Sequence, residues 1–123
     1  MRKRDFIDQE VIFWSRVLWL KKKVWVFVSK DRMLSFHRKN CSDTLTFNPD
    51  ENLNGMCLPC VGAIYIRIYG TNSLNLLSRT VLHELIHIAN PNWGEDAVRW
   101  AERVLWTCYE ASKKEECIAL PAG

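Results

Sequence analysis

Apolar positions in residues 5–20 recur at helical spacing, with Ile7, Val11, Trp14 and Leu18 on one face, which predicts an amphipathic packing helix at the start of the chain. The run Val24-Trp25-Val26-Phe27-Val28 is β-branched and aromatic and predicts a strand. Residues 30–55 are dense in turn formers, among them Asn40, Ser42, Asp43, Asn48, Pro49 and Asp50, around a short apolar Leu45-Thr46-Phe47, and read as loop with at most one strand. Residues 61–69 then alternate. Ile64, Ile66 and Ile68 fall on one side and Tyr65, Arg67 and Tyr69 on the other, the pattern of a half-buried strand whose polar side faces solvent or a substrate.

Gly70-Thr71-Asn72-Ser73 forms a turn that offers Asn72 or Ser73 as a helix cap, and the helix it starts is expected over residues 74–89. Asn90-Pro91-Asn92-Trp93-Gly94 ends it. A last helix, from Gly94 or Glu95 to about residue 112, carries Val98, Ala101, Leu105 and Cys108 on one stripe. Helix, strands, helix, turn and helix in that order define a small α+β domain. No repeat or linker divides the 123 residues, so one domain over 1–123 is expected.

The chemistry stands on the helix over 74–89. His83-Glu84-Leu85-Ile86-His87 is H-E-x-x-H, which puts two imidazoles one turn apart on a single face, close enough to grip one zinc ion, with Glu84 beside them. Zinc lowers the pKa of a bound water to about 7, and a neighbouring carboxylate can take its proton as it attacks a carbonyl. His83 and His87 are therefore candidate ligands and Glu84 the candidate general base. From Val81 to Ala89 every other residue is apolar, so three polar groups on a buried helix need a metal or a hydrogen-bond network to satisfy them. The plainer alternative is a pair of satisfied core histidines.

A catalytic zinc takes a third protein ligand and keeps one position for water. His37 stands in a cationic stretch, His37-Arg38-Lys39, and reads as a solvated loop histidine. A third histidine six residues after His87 is missing, since Trp93 stands there, which argues against the metzincin pattern. The final helix offers Glu95 and Glu102, seven residues apart on roughly one face, and antiparallel packing hardly separates them. As ordinary surface acids, Glu95 would favour the helix dipole and Glu102 would accompany Arg99 and Arg103.

A helix bearing this motif, a turn and a second helix supplying a glutamate resemble the gluzincin zinc metallopeptidases, and at this length the chain is most similar to minigluzincins and to small HExxH proteins of phages and archaeal viruses. The resemblance runs from Val61 to about Leu105. Through the spacing Glu95-x-x-Val98-x-x-Ala101 it favours Glu95 as the third ligand beside His83 and His87. It implies a zincin-like domain: N-terminal helix, small mixed sheet, active-site helix and C-terminal glutamate helix, with residues 61–69 as an edge strand that aligns a peptide or protein substrate above Zn2+. The Asn-Glu pair of long gluzincins is missing, because Gly94 precedes Glu95. Some minigluzincins are zymogens, which would put Cys117 or a carboxylate of the tail on the metal; a packed tail is the alternative. Tyr65, Tyr69 and Tyr109 are the phenols available to an oxyanion, although each suits packing equally.

Composition narrows the choice. A formal charge of +3 does not mark a nucleic-acid binder, and Lys21-Lys22-Lys23 reads as a solvated helix end. Trp14, Trp19, Trp25, Trp100 and Trp106 are expected in the core, with Trp93 beside the cleft. No segment is long and apolar enough for a membrane span, and acids at 5, 8 and 10 spoil a signal peptide, so a cytoplasmic location is expected. Five cysteines leave at least one thiol unpaired in a monomer. Cys57-Leu58-Pro59-Cys60 is a lone CxxC; Cys41 and Cys117 could complete a four-thiolate site, or the thiols could form disulfides or stay buried. The alternative to a peptidase is a non-catalytic zinc-stabilised interaction or DNA-associated domain, in which protein ligands close the metal sphere.

Overall fold

The computed structural model describes residues 2–41, 54–69 and 73–119, with side chains of the last helix as far as Lys113. The element order is α1 (Lys3–Val17), β1 (Trp25–Phe27), α2 (Lys30–Asn40), β2 (Gly55–Leu58), β3 (Ala63–Ile66), α3 (Leu74–Ala89) and α4 (Glu95–Ala119). The class is α+β. The apolar Leu45-Thr46-Phe47 piece, Asn72 and Cys117 lie outside the residues whose side chains are described.

The sheet is mixed, in the order β1-β3-β2, with β1 parallel and β2 antiparallel to β3. Its central strand is β3, buried at all four positions. This corrects the expectation of a half-buried edge strand at residues 61–69. Both faces are covered, so Ile64 and Ile66 enter one apolar cluster with α1, α3 and α4, while Ala63 and Tyr65 enter another with Met33 and Phe36 of α2. Strands β1 and β2 flank β3 and form the two edges of the sheet.

Residues 30–40 form a helix where loop was expected. Ser29 caps it by accepting from the Arg32 amide, Asp31 lies in the first turn, and His37, Arg38 and Lys39 lie in the last, all of which suits the helix dipole. Met33 and His37, four residues apart, are its buried positions, and Phe36 packs beside them. His37 is accordingly a buried helical residue and not a solvated loop one.

The first cluster fixes α3. Its stripe of Leu77, Val81, Leu82, Leu85 and Ile86 is fully buried against Ile7 and Trp14 of α1 and Val98 of α4. The Trp14 indole N–H donates to Ser78 Oγ at 3.0 Å, which satisfies the polar edge of a buried ring. Arg4 donates to the carbonyl of Val26 and Lys3 to that of Ile68, tying the start of α1 to the sheet. Ser73 caps α3 by accepting from the Leu76 amide, as one of the two expected caps.

Four residues expected to face the core do not: Trp19, Trp25, Trp100 and Cys108. Trp19, Trp25 and Trp100 are exposed, whereas Trp14 and Trp106 are buried. On α4 the inward side is Val98, Ala101, Leu105, Trp106 and Tyr109, and Cys108 faces solvent. Among the described residues, no helix is long and apolar enough to cross a membrane.

Candidate metal centre

The second half of α3 is apolar apart from His83, Glu84 and His87, and these three emerge where the packing opens. They line a cleft of about 690 Å³ between α3, α4 and β2, whose walls also include Asn54, Gly55, Cys57, Glu95, Arg99 and Glu102. Helix periodicity places His83 and His87 one above the other, with ring centroids 5.0 Å apart. The turn at residues 90–94 reverses the chain and brings Glu95, at the first position of α4, back over them.

The carboxylate of Glu95 bridges the two rings. One oxygen lies 2.7 Å from His83 Nε2 and the other 3.0 Å from His87 Nε2. Candidate ligand atoms of His83, His87 and Glu95 all fall within 4.8 Å of one another. Tetrahedral zinc with bonds of 2.0–2.1 Å separates its ligand atoms by about 3.3 Å, a spacing of the same order as the 2.7 and 3.0 Å between the Glu95 oxygens and the two Nε2 atoms. Two imidazole nitrogens and a carboxylate oxygen are also the donor set of a catalytic zinc site, and the residues fit the metal.

Glu102 reaches the same motif from the other side. Its Oε1 lies 2.8 Å from His83 Nδ1, and its Oε2 accepts from Arg79 at 2.6 Å. The two carboxylates that antiparallel packing could not separate thus divide the two nitrogens of one ring. A proton on Nδ1 donating to Glu102 is the tautomer that would leave the Nε2 lone pair of His83 for a metal, whereas toward the Glu95 carboxylate alone Nε2 has to donate. Arg79 in turn holds Glu102 in place. Neither role was visible in the sequence, although Arg79 and Glu102 stand on the facing helices at compatible turns.

The electrostatics follow from these contacts. The hydrogen bond to Glu102 raises the pKa of His83 above the ordinary histidine value, against the effect of burial, with Glu84, Glu95 and Glu102 adding to the rise. Burial would raise Glu102, but the hydrogen bonds from His83 and Arg79 outweigh it and hold the carboxyl below its usual range. Glu84 is buried among apolar side chains at 6% exposure. That burial pushes it up to about 7; His83 lowers it, while Glu95 and Glu102 raise it further.

Gly55 explains how β2 comes so close. A Cβ there would lie 2.6 Å from Thr80 Cγ2 and 3.2 Å from Glu84 Cγ, so only glycine lets the strand lie against α3 at the general-base position. Residues 55–57 all border the cleft, while alternation along β2 sends Met56 and Leu58 into the apolar cluster with α2. The CxxC pair is therefore split, since Cys57 lines the cleft whereas Cys60 approaches Cys41 at 2.9 Å between sulfurs. Burial pushes the Cys57 thiol far above its ordinary value, with Glu84 and Cys60 adding to the rise.

None of the three tyrosines lines the cleft. Tyr65 packs on the α2 side of the sheet, Tyr69 is exposed, and Tyr109 stacks with Phe13, Trp14 and Trp106. Trp93, expected beside the site, is exposed and outside the lining. Two cationic residues also line the cleft, Arg99, 3.5 Å from Glu95, and Arg79. No known protein family, curated protein or solved structure matches this chain significantly.

Proposed function

We propose that this protein is a zinc-dependent metallopeptidase of the gluzincin type, in which His83, His87 and Glu95 hold the ion and Glu84 is the general base. The observation that carries the reading is the convergence of both Nε2 atoms on one carboxylate at the floor of an open cleft. The pairing of the HExxH helix α3 with the glutamate helix α4 supports it, while the zincin-like order expected from the sequence is not reproduced, because α2 stands between β1 and β2 and the sheet has three strands.

Zinc, when bound there, supplies Lewis acidity, polarising a carbonyl and bringing the pKa of a water to about 7. The chain's own groups do the rest. Glu84, on the cleft wall, accepts the proton of the attacking water and hands it to the leaving amine. Glu102 and Arg79 act as positioning residues that fix the tautomer and angle of His83. An extended peptide adds to the outer edge of β2, which pairs with no other described strand, and main-chain hydrogen bonds set its register along the cleft. Edge-strand recognition thus moves to residues 55–58 from the 61–69 segment that the sequence suggested.

The test is hydrolysis of an unstructured polypeptide by the zinc-loaded protein, read by mass spectrometry. Glu84→Gln is expected to lower the rate by about 10²-fold or more while zinc content stays at the wild-type level. A Glu84→Gln protein as active as wild type contradicts the assignment.

A further inference from the structure

A second cluster of metal-ligating side chains lies on the opposite face of the sheet from the cleft. His37 and Cys41, one turn apart at the end of α2, meet Cys60 from the turn between β2 and β3, and their candidate ligand atoms all lie within 4.8 Å of one another. Local structure sets each of the three. The Cys41 amide donates to the His37 carbonyl at 2.8 Å, which carries the helical turn as far as Cys41. Cys60 stands in a turn closed by the amides of Val61 and Gly62 donating to Leu58 and Pro59, with Gly62 at φ +63°.

We propose that His37, Cys41 and Cys60 form a second metal site that takes Zn2+ and clasps the end of α2 to the β2–β3 turn. Two thiolates and an imidazole are a zinc donor set, softer than the oxygen-containing set in the cleft. Burial is graded across it: His37 is 3% exposed, Cys41 is half-buried and Cys60 is exposed. The ion therefore lies at the rim, with its fourth position toward solvent. The sulfurs stand 2.9 Å apart, between the length of a disulfide bond and the roughly 3.8 Å between two thiolates on zinc. A disulfide would use the sulfurs alone. The buried imidazole beside them is what favours a metal.

Binding releases the two thiol protons to solvent and leaves His37 neutral. The clasp closes the 19-residue separation between Cys41 and Cys60, a constraint that lowers the entropy of the unfolded chain. It also fixes the cleft, because Pro59, next to Cys60, belongs to the cleft wall.

The full chain, kept reduced with a non-thiol reductant and freed of metal, is titrated with Co2+. Thiolate-to-cobalt charge transfer absorbs in the near ultraviolet, and the nitrogen and oxygen ligands of the cleft cannot produce it. The expected result is a band that saturates between one and two equivalents of added metal in the wild type, and at about one in the protein with His83 and His87 changed to Ala. Cys41→Ser and Cys60→Ser abolish it, Cys57→Ser and Cys108→Ser retain it, and His37→Cys binds with a stronger band. Changing His83 and His87 to Ala leaves it intact, so failure of the peptidase reading and failure of this one are separable. The proposal is overturned by a wild-type protein with no such band, by a band that survives both Cys41→Ser and Cys60→Ser, or by a Cys41–Cys60 or other Cys60 disulfide in the protein as isolated.

Discussion

Two glutamates seven residues apart on one helix take different tasks because they meet different nitrogens. Glu95 faces the Nε2 atoms of both histidines, whereas Glu102 faces Nδ1 of His83 and is itself gripped by Arg79. In the proposed site the first is a ligand and the second orients one. Loss of an orienting partner typically costs 10–100-fold in metal affinity. Competition with a chromophoric chelator is therefore expected to give about that loss for Glu102→Gln at the cleft, and a larger one for Glu95→Ala. If Glu102→Gln weakens zinc more than Glu95→Ala does, the roles are reversed. In the sequence the motif His83-Glu84-x-x-His87 was plain, since it is local and its spacing is that of a helix. The division of labour between Glu95 and Glu102 was not, because it depends on how two helices sit around a five-residue turn.

At the scale of elements, α3 was legible to its end residues because an uninterrupted apolar run, a Ser73 cap and an Asn-Pro break coincide there. Helix α2 was hidden by its polarity. Lys30, Asp31, Arg32, Arg38, Lys39 and Asn40 look like loop composition, yet the Ser29 cap and the spacing of Met33, Phe36 and His37 carry a helical signal. The strand β2 was missed because only four residues follow a run of Asn, Asp and Glu, too few to show alternation. The packing of α1 on α3 makes its own prediction. Ser78→Ala strands the buried indole N–H of Trp14, which donates to Ser78 Oγ, and should lower stability by about 1–3 kcal/mol. Urea denaturation measures it, and an unchanged midpoint would mean that the hydrogen bond contributes nothing net.

For the whole molecule, the sheet is a partition. Helices α1, α3 and α4 and the cleft lie on one side, α2 and the thiol cluster on the other, with β3 buried between them. The sequence announced the mixed α+β class, but not which strand would be central, because Ile64, Tyr65 and Ile66 become buried on both faces only once α2 is recognised as a helix. The two apolar clusters are built from side chains without metal ligands, apart from residues at their margins. Chelation is accordingly expected to leave the far-ultraviolet helical signal in place while abolishing peptide hydrolysis and lowering the melting temperature. Loss of that signal on chelation would instead favour a domain folded by its metal.

The crystal structure of the zinc-loaded protein tests the central claim most directly. The expected result is an ion on Nε2 of His83, Nε2 of His87 and the carboxylate of Glu95, with a solvent oxygen completing the sphere beside Glu84. Rings whose Nε2 atoms diverge, or an ion enclosed by a fourth side chain, would contradict it.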